Sequence, residues 1–128
     1  NLLYIGHSLG LKPKLTAEQN LNFYRMLRFS PDPQLILKAL NEFGVGDYFD
    51  ELVGLLSAGQ KRRVSLARII TEPVPIWVLD EPLVALDIDG QSWLESLCNK
   101  HLTNGGILII TSHQPVKGIQ GLQELNLS

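Results

Sequence analysis

The chain has 128 residues, 45% of them hydrophobic and 19% charged, with eleven Lys and Arg against thirteen Asp and Glu. That balance excludes a disordered polar segment and disfavours a globally basic nucleic-acid binder, since no positive excess is available to neutralise phosphates. Apolar runs such as Ile76–Leu79 and Ile107–Ile110 are too short to span a bilayer, and a single cysteine, Cys98, cannot form an internal disulfide.

Leu2–Ile5 reads as a short buried strand that begins without a preamble, so the chain is expected to be a piece of a longer one. Gly10 and Pro13 mark a loop. Thr16 and Gln19 have capping-box spacing, which predicts a helix from Ala17. Asp32 and Pro33 supply an N-cap and a first-turn proline for a second helix, with Ile36, Leu40 and Phe43 as its apolar stripe and Gly44 as its stop. A third helix is expected after Ser57. Ile76–Leu79 is apolar without alternation, as in a strand covered on both faces. Gln91–Asn104 is expected to be helical, Gly105 and Gly106 to end it, and Ile107–Ile110 to form another buried strand. Leu125 and Leu127 alternate with polar neighbours, which suggests a final edge strand. Strand, helix, strand in that order predicts a parallel crossover, hence an α/β fold. Residues 1–15 and 71–128 are read as parts of a parallel-sheet core, and 16–70 as a helical subdomain.

Three places carry chemistry. Asp80 and Glu81 follow the Ile76–Leu79 strand, and ligands of open α/β sheets sit beyond the carboxyl ends of strands. Asp80 suits a Mg²⁺ ion and Glu81 an attacking water; a solvated turn is the bland alternative. Ser57-Ala58-Gly59-Gln60 opens a helix whose N–H groups and dipole favour an anion, and Lys61, Arg62 and Arg63 follow where a polyphosphate would account for them. An ordinary capped helix with a solvated basic face is the alternative there. Thr111-Ser112-His113 closes the second strand, where His113 could donate to a phosphate oxygen or be merely structural. His7, at the end of the first strand, is open to the same two readings.

In order and spacing these motifs resemble the ATP-binding-cassette (ABC) ATPases, a P-loop NTPase class. Leu56–Gln60 resembles the signature motif, Ile76–Asp80 the Walker B strand, Glu81 the catalytic glutamate, Val84–Asp87 the D-loop and His113 the switch histidine. His7 falls at the Q-loop position. Tyr4–His7, Leu15–Ala17, the Arg62-Arg63-Val64 run and Ser112–Pro115 narrow the resemblance to the haem-exporter ATP-binding subunits of cytochrome c maturation. No G-x-x-x-x-G-K-[ST] occurs, so the phosphate loop of the Walker A region is missing from these residues.

The resemblance implies two ATPase subunits packed head to tail around two ATP molecules. Ser57, Ala58, Gly59 and Gln60 would meet the γ-phosphate in trans, Asp80 would orient Mg²⁺, Glu81 the water and His113 the transferred phosphoryl. Asp87 would link the two sites, and His7 would contact the metal or the water. It also implies integral membrane subunits as partners, haem or a haem-handling protein as indirect substrate, and a peripheral position on the cytoplasmic face of the bacterial inner membrane. The alternatives are a soluble ABC ATPase acting on ribosomes or nucleic acid, and a non-catalytic nucleotide-binding module.

Overall fold

In a computed structural model, residues 1–6 and 10–124 are described. Three parallel strands, β1 (Leu2–Ile5), β2 (Ile76–Asp80) and β3 (Ile107–Thr111), form one sheet in the order β1-β2-β3. Leu3 lies opposite Trp77 and Trp77 opposite Leu108, so one row of side chains crosses all three strands.

Among the described residues, four α-helices lie between β1 and β2 in chain order, α1 (Ala17–Met26), α2 (Pro33–Glu42), α3 (Ala58–Leu66) and α4 (Arg68–Thr71), with short 3₁₀ helices at Gly46–Tyr48 and Val53–Leu55. The starts of α1, α2 and α3 follow from their side-chain caps, whereas α4 continues directly from Ala67 without one. Thr16 and Gln19 form a reciprocal capping box on α1, and the Asp32 carboxylate accepts from Leu35 N at 3.1 Å to begin α2. Gly44, at φ +75°, takes the left-handed position that ends α2. Ile36, Leu40 and Phe43 are buried, as the stripe predicts.

The helix α5 (Ile88–Thr103) joins β2 to β3 and starts three residues before the expected Gln91. Asp87 is its N-cap, accepting from Gly90 N at 2.8 Å, and Gly105 at φ +86° follows its end. Asp87, which the resemblance puts in the D-loop, is thus also a helix cap. Helical spacing over 91–104 predicts Trp93, Leu94, Leu97, Cys98 and Leu102 on or near one face; Leu94 and Cys98 are buried and Leu97 and Leu102 partly so, whereas Trp93 is 37% exposed.

The strands are not covered on both faces. Leu3, Ile5, Trp77 and Leu79 join a single core with the helices, whereas Leu2, Tyr4, Ile107 and Ile109 are each about half exposed. Burial on β1 alternates, so one side of this unbroken apolar sheet has no cover among the described residues. The apolar runs were read as strands sealed on both sides because their outward residues are as hydrophobic as their inward ones. The suggested edge strand at Leu125 and Leu127 lies outside the described residues.

Cys98, wholly buried in this core, has its thiol pushed up to about 12 by burial, with Glu95 adding to the effect. Alkylation of the native protein by iodoacetamide at pH 8.5 is therefore expected to be about a thousandfold slower than of a free thiol, and to accelerate on unfolding. Sign follows from the raised value: this contribution to stability is complete below the unfolded thiol's ordinary range and is lost as the pH climbs towards 12.

Candidate functional site

The carboxyl ends of β2 and β3 lie side by side, with Asp80 paired in register with Thr111. This brings two of the sequence motifs together. The Thr111 hydroxyl donates to Asp80 Oδ1. One residue on, the backbone turns sharply: Glu81 has φ +51°, and with Ala85 at +65° it is one of two non-glycine residues in the left-handed region among the described residues. Such a conformation costs about 1–2 kcal/mol for a residue with a Cβ. Beyond the turn, Glu81 Oε1 lies 3.2 Å from His113 Nε2. The Glu81 side chain is only 16% exposed whereas that of His113 is 93% exposed, so the histidine reaches in from solvent towards a half-enclosed carboxylate. Two adjacent acids thus have separate partners, as the alternation of a strand end predicts.

At the start of α3, Ser57 is the N-cap in a complete capping box. Its Oγ accepts from Gln60 N at 3.1 Å, and Gln60 Oε1 accepts from Ser57 N at 2.9 Å. Ser57 and Ala58 are exposed at this tip. A serine hydroxyl that accepts one bond still has its own hydrogen to donate. The N–H groups of the first turn and the positive end of the helix dipole remain available to an anion. Gly59 has a second reason to be glycine: a Cβ there would meet the Ala85 carbonyl at 3.3 Å. The capped tip and the turn after Glu81 therefore pack closely.

The basic run after the tip does not form the cluster that was expected to face a polyphosphate. Arg62 is 4% exposed and donates to the carbonyls of Gly6 at 3.1 Å, Asp80 at 3.0 Å and Glu81. Arg63 donates to Phe43 O and, at 2.9 Å, to Asp87 Oδ1. Helix geometry explains the difference. Consecutive residues on a helix point about 100° apart, so three adjacent basic side chains cannot share one face. Asp87 thus joins α3 to α5, capping one and pairing with the other through the same oxygen. His7 lies outside the described residues.

A family model described as ABC transporter matches residues 1–84. The chain belongs to the ABC transporter family. Among ABC transporter proteins it is 46% identical over 115 residues to the cytochrome c biogenesis ATP-binding export protein CcmA of Vibrio vulnificus, covering 89% of this chain and 56% of that one. It is 41% identical to the protein of the same description from Haemophilus influenzae, covering 100% of this chain and 60% of that one. The chain therefore spans little more than half the length of these curated relatives. In fold it is similar to a dimeric bacterial ABC transporter cassette, with a TM-score of 0.78, 23% identity, and coverage of 87% of this chain and 51% of the other. A post-hydrolysis form of that cassette, bound to ADP and phosphate, superposes with a TM-score of 0.76 at 22% identity, over 89% of this chain and 53% of the other. The α/β fold with a parallel sheet, expected from the motif order, is the fold of these ABC cassettes.

ATP and Mg²⁺ are the groups an ABC transporter ATPase uses, and the donor set can be tested against them. Among the described residues no three acidic, histidine or cysteine side chains gather into a metal cage. That suits Mg²⁺, which keeps much of its water and takes one or two carboxylates together with phosphate oxygens. Asp80 fits as one such carboxylate, because Thr111 engages Oδ1 and leaves Oδ2. The tip of α3 fits a phosphate oxygen.

Arg62, Arg63 and Thr111 are the contributors that reading the chain did not single out for these contacts. Their bonds run to residues 18 to 56 positions away, or to the neighbouring strand, so no local spacing announces them.

Proposed function

We propose that this chain is the signature-bearing part of an ATP-hydrolysing subunit that energises a membrane exporter in cytochrome c biogenesis. The observation that carries the reading is the contact between Glu81 and His113 at the ends of β2 and β3, beside an exposed, serine-capped helix tip. In this reading Glu81 polarises a water and His113 stabilises charge on the phosphoryl that the water attacks. Asp80 holds Mg²⁺ when the metal is bound, and the metal supplies charge neutralisation at the phosphates. Ser57, with the first N–H groups of α3, meets the γ-phosphate of a nucleotide held by a second subunit. Ala58, Gly59 and Gln60 shape that tip, and Asp87 ties it to α5. Catalysis of this kind is positioning and electrostatics rather than covalent chemistry. The names of the relatives support the export role, and the dimeric state of the structural neighbour supports the paired subunits.

No G-x-x-x-x-G-K-[ST] lies in these 128 residues. The full-length subunit is expected to hydrolyse ATP in a Mg²⁺-dependent manner, while residues 1–128 alone release no phosphate above background. A colorimetric phosphate assay on both proteins decides. Turnover by residues 1–128 would remove the need for a phosphate loop, and no turnover by the full-length subunit would end the ATPase reading.

None of the described helices is long and apolar enough to cross a membrane, and in the proposed export role integral membrane subunits make the crossing. A surface groove of about 430 Å³, lined by Leu15, Gln19, Asn22, Phe23, Met26 and Leu27, is the candidate dock for them. Phe23, Met26 and Leu27 are 42%, 53% and 66% exposed, an apolar patch that favours burial against a partner. Tyr24, next to Phe23 on the same helix, is engaged elsewhere: it donates to Gly10 O and stacks against Arg68. Met26→Asp is expected to abolish co-purification with the membrane subunits and to leave basal ATPase activity of the free subunit within about twofold. An unchanged yield of complex would place the dock elsewhere.

A further inference from the structure

Arg62 is the fifth residue of α3, one turn beyond Ala58 at the capped tip. Its guanidinium is buried, yet among the described residues it bonds to no carboxylate oxygen. Among the described residues its hydrogen bonds all go to main-chain carbonyls, and the three carbonyls come from separate parts of the chain: Gly6 just after β1, Asp80 at the end of β2, and Glu81 in the turn beyond. Burial lowers its pKa from the ordinary arginine value, and the charges of Asp80 and Glu81 work against that shift. Holding a buried cation on carbonyl dipoles is an expensive way to fill space, since a well-packed apolar side chain serves stability as well. The fork of donors does something an apolar group cannot, which is to fix the relative position of several peptide groups at once.

Glu81 is where that matters. Its left-handed backbone is held at both ends: its N–H donates to Thr111 O at 3.0 Å, and its carbonyl accepts from Arg62. These two bonds set the direction in which the carboxylate leaves the chain, and so its 3.2 Å approach to His113.

We propose that Arg62 is a positioning residue that joins the capped tip of α3, the exit of β1 and the backbone of Glu81 into one unit, so that the carboxylate and the serine-capped tip keep a fixed separation. This rests on the ATPase reading above. Lysine in its place keeps the charge but offers a single compact head, which cannot span three carbonyls; glutamine keeps two donors and loses the charge.

The test is made on the full-length subunit, with kcat counted per nucleotide bound so that loss of folded protein does not imitate the effect. Both Arg62→Lys and Arg62→Gln are expected to lower kcat by about tenfold to a hundredfold while KM for ATP stays within about twofold, because the group acts on alignment and not on nucleotide affinity. A folded variant of either kind with the wild-type kcat overturns the proposal and leaves the ATPase reading standing. Should neither variant fold, the wild-type protein decides. Its ¹⁵N spectrum is expected to show separate, slowly exchanging Arg62 Nη resonances that shift when a non-hydrolysable ATP analogue binds with Mg²⁺. A single averaged Nη resonance that ignores the analogue overturns the proposal. Failure of the wild type to bind the analogue at all overturns both readings together.

Discussion

Glu81→Gln in the full-length subunit is expected to lower kcat by about a hundredfold to a thousandfold, the scale on which loss of one preorganised polar group acts. The side chains differ by an oxygen against an amide nitrogen, so shape and burial are retained and the backbone turn at φ +51° is untouched. What is lost is the negative charge beside His113, which in the proposed role polarises a water. Affinity for ATP is expected to stay within about threefold, since the change falls on a step beyond binding and removes an acid next to an anionic ligand. Phosphate release under saturating ATP measures the first quantity, and equilibrium titration with a fluorescent ATP analogue the second. Turnover within about threefold of wild type would take Glu81 out of the role, and a matching fall in affinity would mean that the site had been rebuilt instead of disarmed.

The parts of this site that lie on strand and helix ends were legible because their signals are local. Ser57 and Gln60 are three apart and cap the helix reciprocally; Asp80 ends an apolar run; Thr111 and His113 end another. Those facts place motifs on elements without any knowledge of contacts. The meeting of Glu81 with His113 required only that β2 and β3 be neighbours in parallel, which the crossover rule supplies.

Pairings between distant side chains and the main chain were not legible. Arg62 and Arg63 read as a surface charge run because adjacent basic residues are most simply explained by water or by an anion, and the carbonyls that take them up lie in other parts of the chain. The same holds for Arg28, which reaches Glu72 from 44 positions away at 3.0 Å, whereas the Arg68–Glu72 pair at 2.5 Å has the local i,i+4 spacing; the Glu72 side chain is 1% exposed between them. Asp87 was legible as part of a motif but not as a cap, since the apolar face chosen for α5 begins with Trp93 and hides the turn before it. The open face of the sheet could not be read from the strands, because an outward Leu2 or Ile109 has the same composition as an inward one.

Asn20→Leu is expected to destabilise the full-length subunit by about 3 kcal/mol, comparable with deleting a large core side chain, although it adds apolar surface to a fully buried position. Asn20 sits on α1 and secures the loop that precedes it. Its Oδ1 accepts from Lys12 N at 2.7 Å, and its Nδ2 donates to the carbonyls of Lys12, Leu15 and Thr16 at 3.0, 3.3 and 3.0 Å. Leucine fills much the same volume but leaves the Lys12 N–H without its partner, and it takes the second donor from the carbonyls of Lys12, Leu15 and Thr16, which keep only Leu15 N, Val53 N and Asn20 N; an unmet buried group costs about 1–3 kcal/mol and each lost hydrogen bond about 0.5–1.5 kcal/mol. Because that loop carries Leu15 into the candidate docking groove, release of the loop is also expected to weaken capture of the membrane subunits. Asn20→Asp separates polarity from fit. It keeps the acceptor for Lys12 N, but its second oxygen faces the three carbonyls with no hydrogen unless the acid is protonated. Its deficit against wild type is therefore expected to shrink between pH 8 and pH 5, while that of Asn20→Leu stays constant. Urea denaturation of the three proteins at both pH values measures this. A loss below about 1 kcal/mol for Asn20→Leu would show that the loop satisfies its own main chain once the amide is gone.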